Sequence, residues 1–315
     1  MSRSEARRRI GLTFLVAGLG LPLSSASPAQ DDQGPSAPGV SSTRGAAGLG
    51  AFIASVPVTF DTGVIGIEHD GNGDLLYTSN LTDDVGRMGT DGGQITSLFT
   101  ASQGTGTNPL GVTTDGTDLY VTDTVDNEVE IYSAGGAPLG TFSVLGQTAF
   151  PEGITYSPVS GRLIVVDGAF STEPPDSLVE YTTGGALVDV TILAATSNDG
   201  AAYDPARCSV FVYDSAADNV TQYDENDLSV ILGSFSGTST EGLGPGEGVA
   251  VIGDVLYVMA SGTDTLASFD ISGAPSACLL VEPLEVPALG PWGTAALLGL
   301  LALAGTWVLI RQRPV

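Results

Sequence analysis

Short apolar segments alternate with polar turns from residue 52 to residue 281, and this alternation repeats five times. Each repeat opens with a glycine and a short apolar strand. A polar turn, a second strand rich in valine, leucine and tyrosine, and a third strand then follow. The opening dipeptides are Gly66-Ile67, Gly111-Val112, Gly153-Ile154, Gly200-Ala201 and Gly248-Val249, spaced 45, 42, 47 and 48 residues apart. No part of the region keeps the 3.6-residue period of a helix, so the pattern predicts an all-β domain.

The remaining strands complete a unit of four. Second strands are predicted at 75–79, 119–123, 163–167, 210–214 and 256–260, and third strands end at Met88, Tyr132, Tyr181, Tyr223 and Phe269. Weaker fourth strands are predicted at 94–100, 138–144, 186–193 and 229–235. Glycine pairs such as Gly135-Gly136 supply the positive φ values that hairpin turns need.

Four antiparallel strands in a unit of about 40–50 residues are typical of a β-propeller blade. One blade alone leaves two apolar faces exposed, and stacking blades around an axis covers both. The direct count is five blades, with a degenerate sixth left open. Two segments could close the ring as an additional strand, either 56–60 before the first repeat or 278–281 after the last.

The strand Leu119-Tyr120-Val121-Thr122-Asp123 is of a kind that recurs in NHL/YncE-type propellers, and the domain resembles that family. The resemblance implies the propeller fold and does not by itself imply a function.

Charge divides the chain into three parts. The whole chain has 36 acidic and 10 basic residues, and every basic residue is an arginine. Region 31–285 holds 35 of the acids and only four arginines, a balance of −31. Such a region repels phosphate backbones, which excludes nucleic acid as a partner.

The first 29 residues have the pattern of an export signal. A basic segment with Arg3 and Arg7 to Arg9 precedes an apolar run at 10–23 and a small-residue cleavage zone at 24–29. The apolar run is too short to cross a bilayer of about 30 Å comfortably. The pair Arg8-Arg9 leaves both the general secretory route and twin-arginine export open.

The C-terminal residues predict a membrane anchor. No charge occurs from residue 292 to residue 310, and Arg311 and Arg313 follow at once. That length suffices for one transmembrane helix, and the arginines place its C-terminal end in the cytoplasm. The large domain would then lie outside, in agreement with the export signal.

A motif precedes this helix. Pro287, Leu289, Trp292 and Gly293 match by type and spacing the IPTL-CTERM sorting signal of Gram-negative surface proteins, which the C-terminus resembles. The departures from the usual residues are at Val286, Ala288, Gly290 and Pro291. The resemblance implies display at the cell envelope and processing by a membrane sorting protease. An ordinary anchor helix is the alternative.

The predicted organisation therefore has six parts. They are a signal peptide at 1–29, a flexible linker at 30–51, the propeller at 52–281, the sorting motif and spacer at 282–291, the transmembrane helix at 292–310 and a basic tail at 311–315.

Acidic residues recur at two places in the repeat. Glu152, Asp199 and Glu247 each precede an opening glycine, and if the opening strand is the innermost one they face the mouth of the central channel. Three carboxylates there could hold calcium, which prefers oxygen ligands. A second set follows the second strands: Asp123, Asp167 and Asp214. For both sets the alternative is that the side chains cap turns.

Glu152-Gly153 and Glu247-Gly248 are similar to the Glu-Gly start of repeats in calcium-dependent lactonase propellers, which implies a hydrolase with its site at the channel mouth. The segment from Asp70 to Asp74 matches the first half of a calcium loop, but Leu75 and Leu81 stand where a complete loop has glycine and a bidentate acid. A turn between two strands explains the segment more simply.

The remaining candidates for chemistry are few. His69 is the only histidine, and the chain lacks the spacings of common zinc and serine-hydrolase sites. Cys208 and Cys278 are the only cysteines. In an exported domain two cysteines most often pair, and two free thiols are the alternative.

Two functions remain. The first is an exported, envelope-anchored binding module that uses the rim loops or the channel mouth to contact an extracellular ligand or protein. The second is a calcium-dependent hydrolase of the lactonase type at the same mouth.

Overall fold

The computed structural model describes residues 48–103, 106–168, 176–193 and 197–278. These residues form five sheets of four antiparallel strands each, and they contain no α-helix, only a short 3₁₀ turn at Ser261–Thr263.

Blade 1 contains β2 (Val64–His69), β3 (Leu75–Ser79), β4 (Asp84–Met88) and β5 (Gln94–Thr100). Blade 2 contains β6 (Pro109–Thr114), β7 (Asp118–Asp123), β8 (Glu128–Ser133) and β9 (Pro138–Ser143). Blade 3 contains β10 (Pro151–Ser157), β11 (Arg162–Asp167), β12 (Ser177–Thr182) and β13 (Leu187–Ile192). Blade 4 contains β14 (Asn198–Asp204), β15 (Ser209–Asp214), β16 (Asn219–Asp224) and β17 (Asp227–Ser236). Blade 5 contains β18 (Val249–Ile252), β19 (Val255–Ala260), β20 (Thr265–Asp270) and, as its outermost strand, β1 (Ala51–Pro57).

The ring closes through the N-terminal strand. β1 pairs antiparallel with β20, so the start of the described chain completes the last blade. Of the two closing segments that the sequence left open, the upstream one has this role, although its strand lies a few residues earlier than 56–60. Cys278 is not in a strand, and 279–281 lie outside the described residues.

The hydrophobic core lies between the blades. Each of the five clusters of buried side chains joins two neighbouring blades, and the fifth packs Val64 and Leu75 of blade 1 against Ala250 and Met259 of blade 5. The innermost strands β2, β6, β10, β14 and β18 also contact one another in a closed cycle. The ring is therefore complete with five blades, and the sixth blade that the sequence left open is not part of it.

The predicted signal peptide at 1–29, sorting motif and spacer at 282–291, transmembrane helix at 292–310 and basic tail at 311–315 lie outside the described residues. Within the part of the chain that the structure describes, no helix is long and apolar enough to cross a bilayer.

Candidate functional site

Five glycines set the width of the central channel. Gly111 illustrates the arrangement: a Cβ there would lie 2.4 Å from the carbonyl oxygen of Glu152 in the next blade. A Cβ at each of the other four ring glycines would lie between 1.9 and 2.6 Å from a backbone carbonyl oxygen of the next blade. Gly248 of blade 5 meets Ile65 of blade 1 in this way, which completes the ring. The remaining members are Gly66, Gly153 and Gly200. Any side chain at these positions would collide with backbone, so the repeated glycine of the sequence exists to let the innermost strands approach.

The cavity inside this glycine ring is small. Its volume is about 30 Å³, and a water molecule needs about 10–15 Å³ of such space. The channel interior therefore has room for water or a small ion and not for an organic substrate, which would have to bind at one of the channel's two ends.

Three carboxylates lie at one end, which we call the carboxylate mouth. Glu152, Asp199 and Glu247 directly precede the ring glycines of blades 3, 4 and 5, and all three line the cavity. Ile65 and Leu110 occupy the same position in blades 1 and 2. The carboxylates are therefore confined to one side of the ring, in blades 3, 4 and 5.

Glu152 and Asp199 interact electrostatically at the carboxylate mouth. Repulsion between two such acids favours a proton on one of them. Burial, followed by the negative charge of Asp199, raises the pKa of Glu152 far above its usual value. Glu152 is only 6% exposed, and no hydrogen-bond donor faces its buried Oε2 atom. Glu152 is consequently the member of the pair that keeps the proton.

Glu247, the third acid of the carboxylate mouth, has a hydrogen-bond partner of its own. The Ser261 hydroxyl donates to Oε1 of Glu247, and the Ser215 amide donates to Oδ2 of Asp199 at 3.1 Å. Burial raises the pKa of Glu247, whose charge in turn raises the pKa values of Glu152 and Asp199. Among the described residues, no three histidine, cysteine or acidic side chains have the geometry of a metal site. The three acids thus interact electrostatically without converging as ligands.

Several groups that shape the carboxylate mouth carry no signal in the sequence. Ser215 and Ser261 are ordinary turn residues in the repeat. Gly168 makes room for Glu152, because a Cβ at that position would lie 2.3 Å from the carboxyl carbon.

The second set of repeated acids orders loops. Oδ1 of Asp123 accepts from the Val125 amide at 2.7 Å, and Oδ1 of Asp214 accepts from the Ala217 amide at 2.9 Å. Oδ1 of Asp167 accepts from two amides of the loop that enters its blade, those of Ala149 and Phe150. These contacts agree with the turn-capping alternative.

The half calcium loop is also a turn. Oδ1 of Asp70 accepts from the amides of Asn72 at 2.7 Å and Asp74 at 3.1 Å, and Oδ2 of Asp70 lies 3.5 Å from Nε of Arg87. Nε2 of His69 accepts from the Gly73 amide at 3.2 Å. These bonds fold residues 70–74 back onto the end of β2.

The opposite end of the channel is closed by Glu68, which the sequence analysis did not single out. Its Oε2 accepts from the Thr155 hydroxyl of blade 3 at 2.7 Å, and its Oε1 accepts from the His69 amide at 2.8 Å. Burial raises the pKa of Glu68 to about 8. Beside it lies an open depression of about 230 Å³, lined by Asp115, Tyr203 and neighbouring turn residues.

Covalent and ionic links join blades 4 and 5 at their periphery. Cys208 and Cys278 form a disulfide with a Cα–Cα distance of 4.8 Å, which fastens the segment after β20 to blade 4. Arg207, next to this bridge, pairs with Asp204 at 2.7 Å and with Asp254 of blade 5 at 2.5 Å.

Solved structures of other proteins share this architecture. Glutaminyl cyclase from Myxococcus xanthus superposes with a TM-score of 0.55 at 14% identity, over 71% of this chain and 97% of that chain. A chain of a nidogen/laminin complex superposes with a TM-score of 0.52 at 19% identity, over 68% of this chain and 78% of that one. Virginiamycin B lyase from Staphylococcus aureus reaches a TM-score of 0.46 at 18% identity over 67% of each chain.

No model of a known protein family and no curated protein matches the sequence. At identities this low, the structural similarities show the β-propeller fold alone.

Proposed function

We propose that this protein is an envelope-displayed binding module that recognises a positively charged group at the carboxylate mouth. The observation that carries the proposal is the buried Oε2 atom of Glu152, which lies beside Gly168 and has no hydrogen-bond partner among the described residues. A buried carboxylate without a partner is costly, so the site retains a proton or exchanges it for another cation.

The charge of the rest of the domain supports this choice of ligand. The three described arginines are all paired with acids: Arg87 with Asp70, Arg162 with Glu180 and Arg207 with Asp204. With these three positive charges neutralised locally, the large excess of acids in region 31–285 produces a negative field that attracts cations and repels anions.

Calorimetric titration of the full-length protein tests the proposal with two probes, calcium chloride and the polyamine spermidine. We expect saturable one-site binding of at least one probe, lost in Glu152→Gln and retained in a control, Asp189→Asn, which removes an exposed charge on β13. Absence of saturable heat from both probes, or an unchanged heat in Glu152→Gln, would refute cation recognition at this mouth.

A calcium-dependent hydrolase of the lactonase type is the second candidate, and the same unpartnered Oε2 atom favours it. The described carboxylates do not converge as three metal ligands, so we derive no catalytic step through calcium. The titration with calcium chloride, combined with a hydrolysis assay, separates the two candidates. Calcium binding accompanied by calcium-dependent opening of an aliphatic lactone supports the hydrolase. Calcium binding without hydrolysis supports the binding module.

Envelope display is the second part of the proposal, and it rests on the basic start of the chain and on the uncharged stretch 292–310 before Arg311. Protease added to intact spheroplasts should cleave the linker at 30–51, while the C-terminal helix keeps the propeller on the membrane. Replacing Trp292-Gly293 by alanines should block processing if the sorting protease acts there. Protection of the linker would contradict the predicted topology.

A further inference from the structure

The turn between β2 and β3 contains a chemically reactive pair. Asn72 is the only one of the chain's seven asparagines that is followed by glycine. Both Asn72 and Gly73 are exposed, and a Cβ at Gly73 would meet no atom within 4 Å. Because Gly73 has no side chain, no Cβ hinders attack of its peptide nitrogen on the preceding side-chain amide.

The only histidine of the chain contacts that nitrogen. The Gly73 amide donates to Nε2 of His69 at 3.2 Å, which is within the reach of a general base. Nε2 is consequently the unprotonated nitrogen of a neutral imidazole. The β2–β3 pairing places His69 opposite Leu75, so the histidine is anchored in the sheet while the Asn-Gly pair lies in the open turn.

We propose that residues 69–73 form a self-modifying site, in which His69 promotes conversion of Asn72 to aspartate or isoaspartate. Nε2 of His69 takes the amide proton of Gly73, and the nitrogen attacks Cγ of Asn72, closing a five-membered succinimide. The bond from Cγ to Nδ2 breaks, and Nδ2 leaves as ammonia with the proton returned by the imidazolium. Water then opens the ring at either carbonyl, so that the net change is loss of ammonia and gain of water.

The modification alters a surface that is suited to contacts. Asn72 lines a depression of about 270 Å³ together with Asp70 and Arg87. The new carboxylate adds a negative charge beside this ion pair, and an isoaspartate also lengthens the backbone of the turn. The propeller would thus acquire charge on the face that carries Glu68 as the protein ages outside the cell.

Mass spectrometry of the full-length protein tests the site. The protein is incubated in heavy-oxygen water, digested in acid, and the Asn72 peptide is compared with the Asn226 peptide of the same digest. Asn226 is also exposed but is followed by Asp227, so it serves as the internal control. We expect heavy oxygen in the Asn72 peptide alone; an unmodified Asn72 would overturn the proposal.

Two comparisons test the part played by His69. The folded protein should modify Asn72 faster than the same chain in urea, by up to the ~10²-fold that a positioned general base contributes. His69→Gln should fall to the rate of the unfolded chain, because it removes the Nε2 atom that the Gly73 amide contacts. If Asn72 is modified no faster in the folded wild type than in the same chain in urea, catalysis by His69 is refuted. This comparison does not require His69→Gln to fold.

Discussion

Replacing Glu68 with glutamine should stabilise the propeller at neutral and mildly alkaline pH, by an amount that increases with pH. Glu68 is 5% exposed and spans the end of the channel to reach Thr155. Glutamine has the shape of the protonated acid: its carbonyl can accept from the His69 amide, and its NH₂ group can donate to the Thr155 hydroxyl oxygen. The substitution therefore removes an ionisable group while keeping its contacts.

The direction of this pH effect follows from the pKa of Glu68 in the unfolded and in the folded chain. The pKa of Glu68 rises from 4.5 to about 8 on folding, so unfolding releases a proton between these values. The stability contributed by the neutral buried acid is fully present below about pH 4.5 and is lost as the pH rises through about 8. At about 1.4 kcal/mol per pH unit, the loss amounts to roughly 3 kcal/mol at neutral pH and approaches about 5 kcal/mol above pH 8.

Urea denaturation of both proteins over a series of pH values measures this difference. The free energy of unfolding of Glu68→Gln minus that of the wild type should grow by about 3 kcal/mol between pH 5 and pH 8. Glu241→Gln is the matched control, because Glu241 lies exposed in a turn, and its difference from the wild type should stay flat. A flat difference for Glu68→Gln would refute the inference that this carboxyl is buried in its neutral form.

Three further variants test the contacts between blades by thermal and urea denaturation. Gly111→Ala should lower the free energy of unfolding by about 1–3 kcal/mol, because its Cβ meets rigid backbone. Joint replacement of Cys208 and Cys278 by serine should lower the free energy of unfolding by up to about 4 kcal/mol, because the unfolded chain is no longer restricted by the disulfide. Arg207→Leu should cost about 3–5 kcal/mol, since it leaves the buried carboxylate of Asp204 without its partner.

A control or a second measurement tests the reasoning behind each of these three variants. Gly135→Ala is the control for the glycine ring, because the nearest atom to its Cβ would be 3.9 Å away, and equal effects at Gly111 and Gly135 would rule out the packing argument. Reductant should remove the difference between the wild type and the cysteine variant. Removing Asp204 together with Arg207 should restore part of the lost stability, and purely additive losses would show that the pair is not coupled.

Local pattern was enough to predict the strands and their grouping. The second strand of the first repeat was predicted at 75–79 and is β3, and the fourth was predicted at 94–100 and is β5. These elements follow from alternation of apolar and polar residues over five to seven positions, bounded by turn residues. Ring closure was left open, because both candidate strands had adequate local character and only the ladder between β1 and β20 decides between them.

The candidate site was predictable in position and not in chemistry. The repeat placed Glu152, Asp199 and Glu247 before equivalent glycines, and all three line the channel. The sequence could not show that burial and the charge of Asp199 raise the pKa of Glu152, or that the Ser261 hydroxyl donates to Glu247. Those differences depend on how each strand is positioned around the axis, and spacing along the chain does not encode this.

The sequence by itself determined the blade repeat, the all-β class and the positions of the five ring glycines, because each is a pattern within one repeat. Only the tertiary structure showed what the glycines do, since the backbone that approaches Gly111 belongs to the next blade. It alone also revealed the contact between Glu68 and Thr155, which are 87 residues apart and become neighbours only when the ring closes around a narrow channel. The physical reason is that hydrophobic alternation specifies strands locally, whereas the burial and partner of a carboxyl group depend on side chains that distant parts of the chain bring to it.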